Sequence, residues 1–167
     1  RCISYLTIEL KGAIPRQYRT EMGDWIYGCD ICQEICPWNQ KQARPTNEFQ
    51  AREGLKSPDL VGLLEMDQVS FSRRFKGSPI KRAKRRGLLR NAAVALGNLG
   101  READVPALAG ALDDPEPLVR GHAAWALGRI GGYEAGKALE EAMVRESDDE
   151  VRGEIRQALE DLRRPNG

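Results

Sequence analysis

The second half of this 167-residue chain repeats itself. At an offset of 31, Leu96-Gly97 matches Leu127-Gly128, Leu99-Gly100 matches Ile130-Gly131, and Ala107-Leu108 matches Ala138-Leu139. At an offset of 32, Val119-Arg120-Gly121 matches Val151-Arg152-Gly153, and Ala126-Leu127 matches Ala158-Leu159. A unit of about 30 residues holding two helices is the signature of an α-solenoid, in which each unit buries its apolar face on the next. The alanines predict closely approaching helices. The Leu-Gly pairs predict helix ends with glycine in a left-handed cap. Asp113-Asp114 before Pro115, and Ser147-Asp148-Asp149, read as helix starts. The pattern predicts two full helix pairs and a final half over residues 81–167, with an acidic helix ending at Leu162 closing the stack.

The rest of the chain divides into a cysteine segment (1–40) and a polar connection (41–80) broken by Pro45, Gly54, Pro58, Gly77 and Pro79. In the connection a short helix is expected from Asp59 to Met66, capped by Ser57 with Pro58 at its first position. Hydrophobic residues make up 41% of the chain, enough for a core. No apolar run approaches the roughly 18 residues of a membrane span. The first residue is Arg1 and no charged-then-apolar leader follows it, so no signal peptide is expected and the chain reads as starting inside a longer protein.

The net charge of +1 conceals segregation. Residues 1–72 carry 8 Lys/Arg against 10 Asp/Glu, residues 73–101 carry 10 Lys/Arg and no acid, and residues 102–167 carry 8 against 15. A basic block of that density is what phosphates attract.

Three of the four cysteines fall in Cys29-Asp30-Ile31-Cys32-Gln33-Glu34-Ile35-Cys36-Pro37, and the fourth is Cys2. Clustered thiols of this kind indicate a metal site in a reducing compartment. Two cysteines three apart reach one metal centre from a single turn. The third, followed by proline, has the form of the tail of the bacterial ferredoxin run C-x2-C-x2-C-x3-C-P, whose last cysteine ligates the other cluster of a pair. The leading C-x2 is absent, since Ile26 stands three before Cys29, and Cys2 is the obvious substitute. A closed zinc site with four thiolates, or unrelated buried thiols, remain open on spacing alone.

Cys2 to Glu9, Ile26-Tyr27-Gly28-Cys29-Asp30-Ile31-Cys32-Gln33 and Cys36-Pro37-Trp38-Asn39 resemble the second cysteine block of epoxyqueuosine reductases. Arg90-Asn91-Ala92-Ala93-Val94-Ala95-Leu96-Gly97-Asn98 resembles the start of that family's C-terminal HEAT-like repeats. The resemblance implies a mainly α fold: a partial ferredoxin-like 4Fe-4S segment, a connection with short helices, and HEAT-like repeats that bind tRNA. It implies a cytoplasmic oxidoreductase of queuosine biosynthesis that reduces epoxyqueuosine to queuosine at the tRNA wobble position. Electrons would pass from an external donor through two 4Fe-4S clusters to cobalamin. Cys2, Cys29 and Cys32 would then hold one cluster and Cys36 the other. The remaining ligands and the catalytic acid would lie in an N-terminal reductase part absent from this chain, leaving the chain inactive by itself. The rival readings are a HEAT-like binding module on a zinc knob with no redox role, and a ferredoxin-type reductase with another corrinoid substrate.

By the same resemblance Ser4 and Asp30 are candidates for cobalamin contact; otherwise they are a cap and a turn residue. Arg82, Arg85, Arg86 and Arg90 in the basic block, and Lys11 beside Gly12, are candidates for contact with the anticodon stem-loop; a solvated helix face is the alternative. Asn91 reads as a base contact or an internal hydrogen bond. His122 and Trp125 read as packing residues, and Trp38 as a shield for the cluster. No Ser-His-Asp set, P-loop or G-x-G-x-x-G is present.

Overall fold

From Gly87 to Gly97, every residue of the helix Lys84–Leu99 is buried. The run Leu88-Leu89-Arg90-Asn91-Ala92-Ala93-Val94-Ala95-Leu96 explains this, because apolar residues fall on every face of the helix and such a helix must lie inside. Gly100 stops it in the left-handed conformation (φ 66°), its N–H bonded to the carbonyl of Leu96, as expected of the Leu-Gly pair.

The computed structural model describes residues 2–40 and 57–163. Pro45 and Gly54 of the connection lie outside them. Among the described residues the α-helices are α1 (Arg16–Arg19), α2 (Ile31–Glu34), α3 (Pro37–Gln40), α4 (Leu60–Leu64), α5 (Gln68–Arg74), α6 (Lys84–Leu99), α7 (Val105–Gly110), α8 (Pro117–Ile130), α9 (Tyr133–Arg145) and α10 (Asp149–Arg163). There are no strands among them. The mainly α, repeat-built class anticipated from the sequence is the one observed. A π-helical turn at Tyr5–Glu9 resolves the ambiguous start of the cysteine segment as helical.

Helices α6, α8 and α10 stack side by side, and α7 and α9 lie against α8. Two helix pairs and a closing helix result. The stacking distance is set by glycine. A Cβ added to Gly97 would stand 2.9 Å from both Cα and Cβ of Ala126, and one added to Gly128 would stand 2.7 Å from Cβ of Ala158. The two contacts are the same contact, one repeat apart.

Helix starts differ from expectation in detail. Asp59, not Ser57, caps α4: its carboxylate accepts the N–H of Val61 at 3.1 Å. Asp114 accepts the N–H of Glu116, but α8 begins two residues later than Pro115, with Pro117 in its first turn. Asp148 accepts the N–H groups of Glu150 and Val151 and so starts α10 as anticipated. Gly131 ends α8 with φ 80° but extended ψ, because Gly132 turns the chain directly into α9.

The cysteine segment docks on the stack. Leu6, Ile14 and Met22 join the core built by Leu89, Ala93, Ala123 and Trp125. Leu63, Met66, Phe71 and Phe75 pack with Leu88 and Ala92 in a second cluster. Fully burying an aliphatic side chain such as Ile14 or Met22 contributes about 1.5–3 kcal/mol. Residues 3–26 and the repeats therefore share one interior, while α2 and α3 bury no residue.

Candidate functional site

Polar groups reinforce this docking and place the thiols. Arg90 on α6 is wholly buried. Its guanidinium donates to the carbonyls of Leu6 (2.7 Å), Leu10 (2.9 Å) and Gly12 (2.7 Å) and to Oδ1 of Asn91. Asn91 donates in turn to the carbonyls of Thr7 and Ile26, each at 2.8 Å. Burial, followed by the charges of Arg86 and Arg19, lowers the Arg90 pKa to about 10, which leaves it cationic at neutral pH. Further along, Arg19 pairs with Glu154 of α10 and donates from Nε to the carbonyl of Ile14. Its guanidinium lies 5.6 Å from the ring centre of Trp125.

His122 completes this seam. Its Nε2 accepts the N–H of Ile14 at 3.1 Å, so the ring proton sits on Nδ1 and is donated to the carbonyl of Leu118. Burial, with the charge of Arg19, holds its pKa well below the ordinary value. The packing role read for His122 and Trp125 from the sequence is the one observed, but the hydrogen bond across 108 positions has no local signal.

All four cysteines carry free thiols; Cys2 and Cys32 are exposed, and Cys29 and Cys36 are half-buried. Cys29 precedes α2, Cys32 lies within it, and Cys36 stands immediately before Pro37, the first residue of α3. Among the described residues, no three His, Cys, Asp or Glu side chains stand close enough to hold a metal ion. The donor set nevertheless suits iron, because free thiols on short exposed turns supply soft anionic ligands. Asp30 is exposed at the start of α2, where its carbonyl, rather than its carboxylate, takes the N–H groups of Gln33 and Glu34. Ser4 is half-buried beside the π-helical turn and makes no side-chain cap bond. Trp38, in α3 directly after Cys36-Pro37, is 79% exposed.

The basic block separates into two populations. Arg82 is exposed and pairs with Glu9, and Lys11 donates to the carbonyl of Arg82 at 3.2 Å, so these two stand together. Arg86 is half-exposed, 3.9 Å from Glu116, and lines with Lys11 a groove of about 670 Å³. Arg85 and Arg90 do not belong to this surface: both are buried, against the expectation that they contact RNA. Arg85 is buried, forked on to the carboxylate of Asp114, with Nε bonded to the carbonyl of Met66 at 2.7 Å. Arg90 is spent on interior carbonyls. In this arrangement the Arg90 guanidinium is held inside the seam and that of Arg85 by Asp114 and Met66. Asn91 likewise bonds internally rather than facing a base.

Comparison with known proteins agrees with both halves. Residues 1–39 match the model of a 4Fe-4S double cluster binding domain, and residues 81–160 match HEAT repeats. The chain is 40% identical over 162 residues to the epoxyqueuosine reductase of Bacillus cereus, covering 96% of this chain and 42% of that protein. It is 44% identical to that of Escherichia coli K12, covering 76% of this chain and 34% of that protein. A crystal structure of epoxyqueuosine reductase with an epoxyqueuosine-modified tRNA-Tyr stem-loop superposes with a TM-score of 0.89 at 35% identity, over 98% of this chain and 44% of that one. The chain thus corresponds to a part of epoxyqueuosine reductases, spanning about two-fifths of the length of the relatives that match it most fully.

Proposed function

We propose that this chain is the iron–sulfur and helical-repeat part of an epoxyqueuosine reductase, acting in the reduction of epoxyqueuosine to queuosine in tRNA. The observation that carries the reading is the continuity of the match: the double-cluster segment and the repeats share one interior here, and nearly the whole chain superposes on a reductase that holds a modified tRNA stem-loop. It serves as a C-terminal part, with the catalytic acid and the other cluster ligands supplied by an N-terminal reductase part, in the cytoplasm. No helix among the described residues is long and apolar enough to cross a membrane.

Within this reading Cys2, Cys29 and Cys32 ligate one 4Fe-4S cluster and Cys36 ligates the other, so the segment passes electrons from an external donor toward the reaction centre. Bound cobalamin would supply the reducing corrinoid chemistry, with Ser4 and Asp30 on its protein wall. Lys11, Arg82 and Arg86 hold the anticodon stem-loop by its phosphates, while Arg85 and Arg90 keep the surface that carries them in shape.

Anaerobic reconstitution tests the redox assignment. Offered iron with sulfide, and separately zinc, the chain should take up iron and inorganic sulfide and turn brown. Uptake of zinc alone into a colourless tetrahedral site would overturn it in favour of a structural metal knob.

A further inference from the structure

One buried hydroxyl joins the neighbours of two cluster cysteines that are 27 positions apart. Thr7 is fully buried. Its Oγ1 donates to the carbonyl of Ile3 at 2.9 Å and accepts the N–H of Gly28 at 3.0 Å. Ile3 directly follows Cys2, and Gly28 directly precedes Cys29. The same two segments are gripped a second time from the repeats, where the Asn91 carboxamide donates to the carbonyls of Thr7 and Ile26. A hydroxyl is the one small group that both donates and accepts here, and its removal takes the side-chain acceptor from the half-buried Gly28 N–H.

We infer that Thr7, backed by Asn91, is a positioning residue for the Cys2 and Cys29 thiolates: it fixes their separation so that both can meet one cluster. The inference rests on the iron–sulfur reading above. Four features support it. The brace is buried, while Cys2 is exposed and Cys29 half-buried, so the thiols have no packing of their own to hold them. Two of the hydroxyl's hydrogen bonds, to the carbonyl of Ile3 and from the N–H of Gly28, fall on residues directly next to the cysteines. Asn91 cannot shift independently, because its Oδ1 is engaged by Arg90. The partners that orient metal ligands in general carry a large share of affinity.

The test uses the full chain, reconstituted anaerobically with iron and sulfide in a small thiol that can fill an open ligand position. Thr7→Val keeps the shape and removes the hydroxyl; Thr7→Ser keeps the hydroxyl. The expected result is that Thr7→Val weakens iron retention against a chelator about tenfold and alters the paramagnetic resonance spectrum of the reduced cluster, with unchanged helix content, and that Thr7→Ser restores both. Amide exchange at Gly28 should speed up in Thr7→Val alone. Should Thr7→Val fail to fold, Asn91→Asp carries the same prediction, because it retains the acceptor for Arg90 and loses both donors. A wild-type chain that takes up iron and sulfide, with variants that match it in retention and spectrum, would overturn the positioning role while leaving the cluster reading intact. A wild-type chain that takes up no iron would overturn both.

Discussion

The backbone N–H of Ile14 ends on Nε2 of His122, across 108 positions of sequence and at 3.1 Å. Only the neutral imidazole can accept that proton donor, so the docking of the cysteine segment on the repeats requires an uncharged His122. Arg16 and Arg19 of α1, Arg90 of α6 and Glu154 of α10 are the charged groups around this seam, and the first three oppose a further positive charge.

Acid should therefore loosen the seam. His122 has its pKa lowered by burial, so below the unfolded value of about 6.5 the unfolded chain binds a proton that the folded chain refuses. Stability is fully present above that pH and falls as pH drops toward the folded value, by up to about 1.4 kcal/mol per pH unit from this one group. Thermal melts between pH 7.5 and pH 5 check it: about that window, Tm should fall in the wild type and fall less steeply in His122→Gln. Parallel slopes would remove His122 from the account.

The glycine contacts between helices give a second prediction. Gly97→Ala and Gly128→Ala place a methyl where backbone already stands, and each should cost about 1–3 kcal/mol. Gly153→Ala, with nothing within 4 Å of its Cβ position on α10, should stabilise by about 0.5–1 kcal/mol through helix propensity. Chemical denaturation of the three variants separates the cases by sign.

The basic block should divide the same way in solution. Arg82→Gln with Arg86→Gln is expected to leave stability within about 0.5 kcal/mol and to weaken stem-loop binding, with a shallower salt dependence, by about one unit of slope per lost phosphate contact. Arg90→Gln leaves carbonyls of Leu6, Leu10 and Gly12 unpaired and should cost about 3 kcal/mol or more of stability. Titrating a labelled anticodon stem-loop at several salt concentrations, beside a denaturation curve, reads both effects. A double variant that binds like the wild type would show that Arg82 and Arg86 do not face RNA.

These two populations mark where reading the chain by eye succeeds and fails. The repeat was legible because Gly97 and Gly128, and Ala126 and Ala158, recur at nearly one offset, and one contact generates both pairs. The spacing of Cys29, Cys32 and Cys36 is legible because the three are close in sequence. The burial of Arg85 and Arg90 is hidden from a count of charge along the chain, which ignores the turn of the helix. A signal was available for Arg90: it interrupts a run that is otherwise apolar on every face, so it had to be inside and had to be paired. Its partners and those of Asn91 join α6 to the cysteine segment over separations of 65 to 84 positions, and the Thr7 brace reaches Gly28 across 21, which no local pattern encodes.

The most direct measurement of the central claim is epoxide reduction by a chimera in which this chain replaces the matching stretch of the Bacillus cereus relative. The account predicts that the purified chimera, loaded with iron, sulfide and cobalamin, converts epoxyqueuosine to queuosine in tRNA, that the present chain alone does not, and that Cys36→Ser abolishes the conversion in the chimera. A folded, cluster-loaded chimera that binds the tRNA and leaves the epoxide intact, or turnover by the present chain alone, would contradict it.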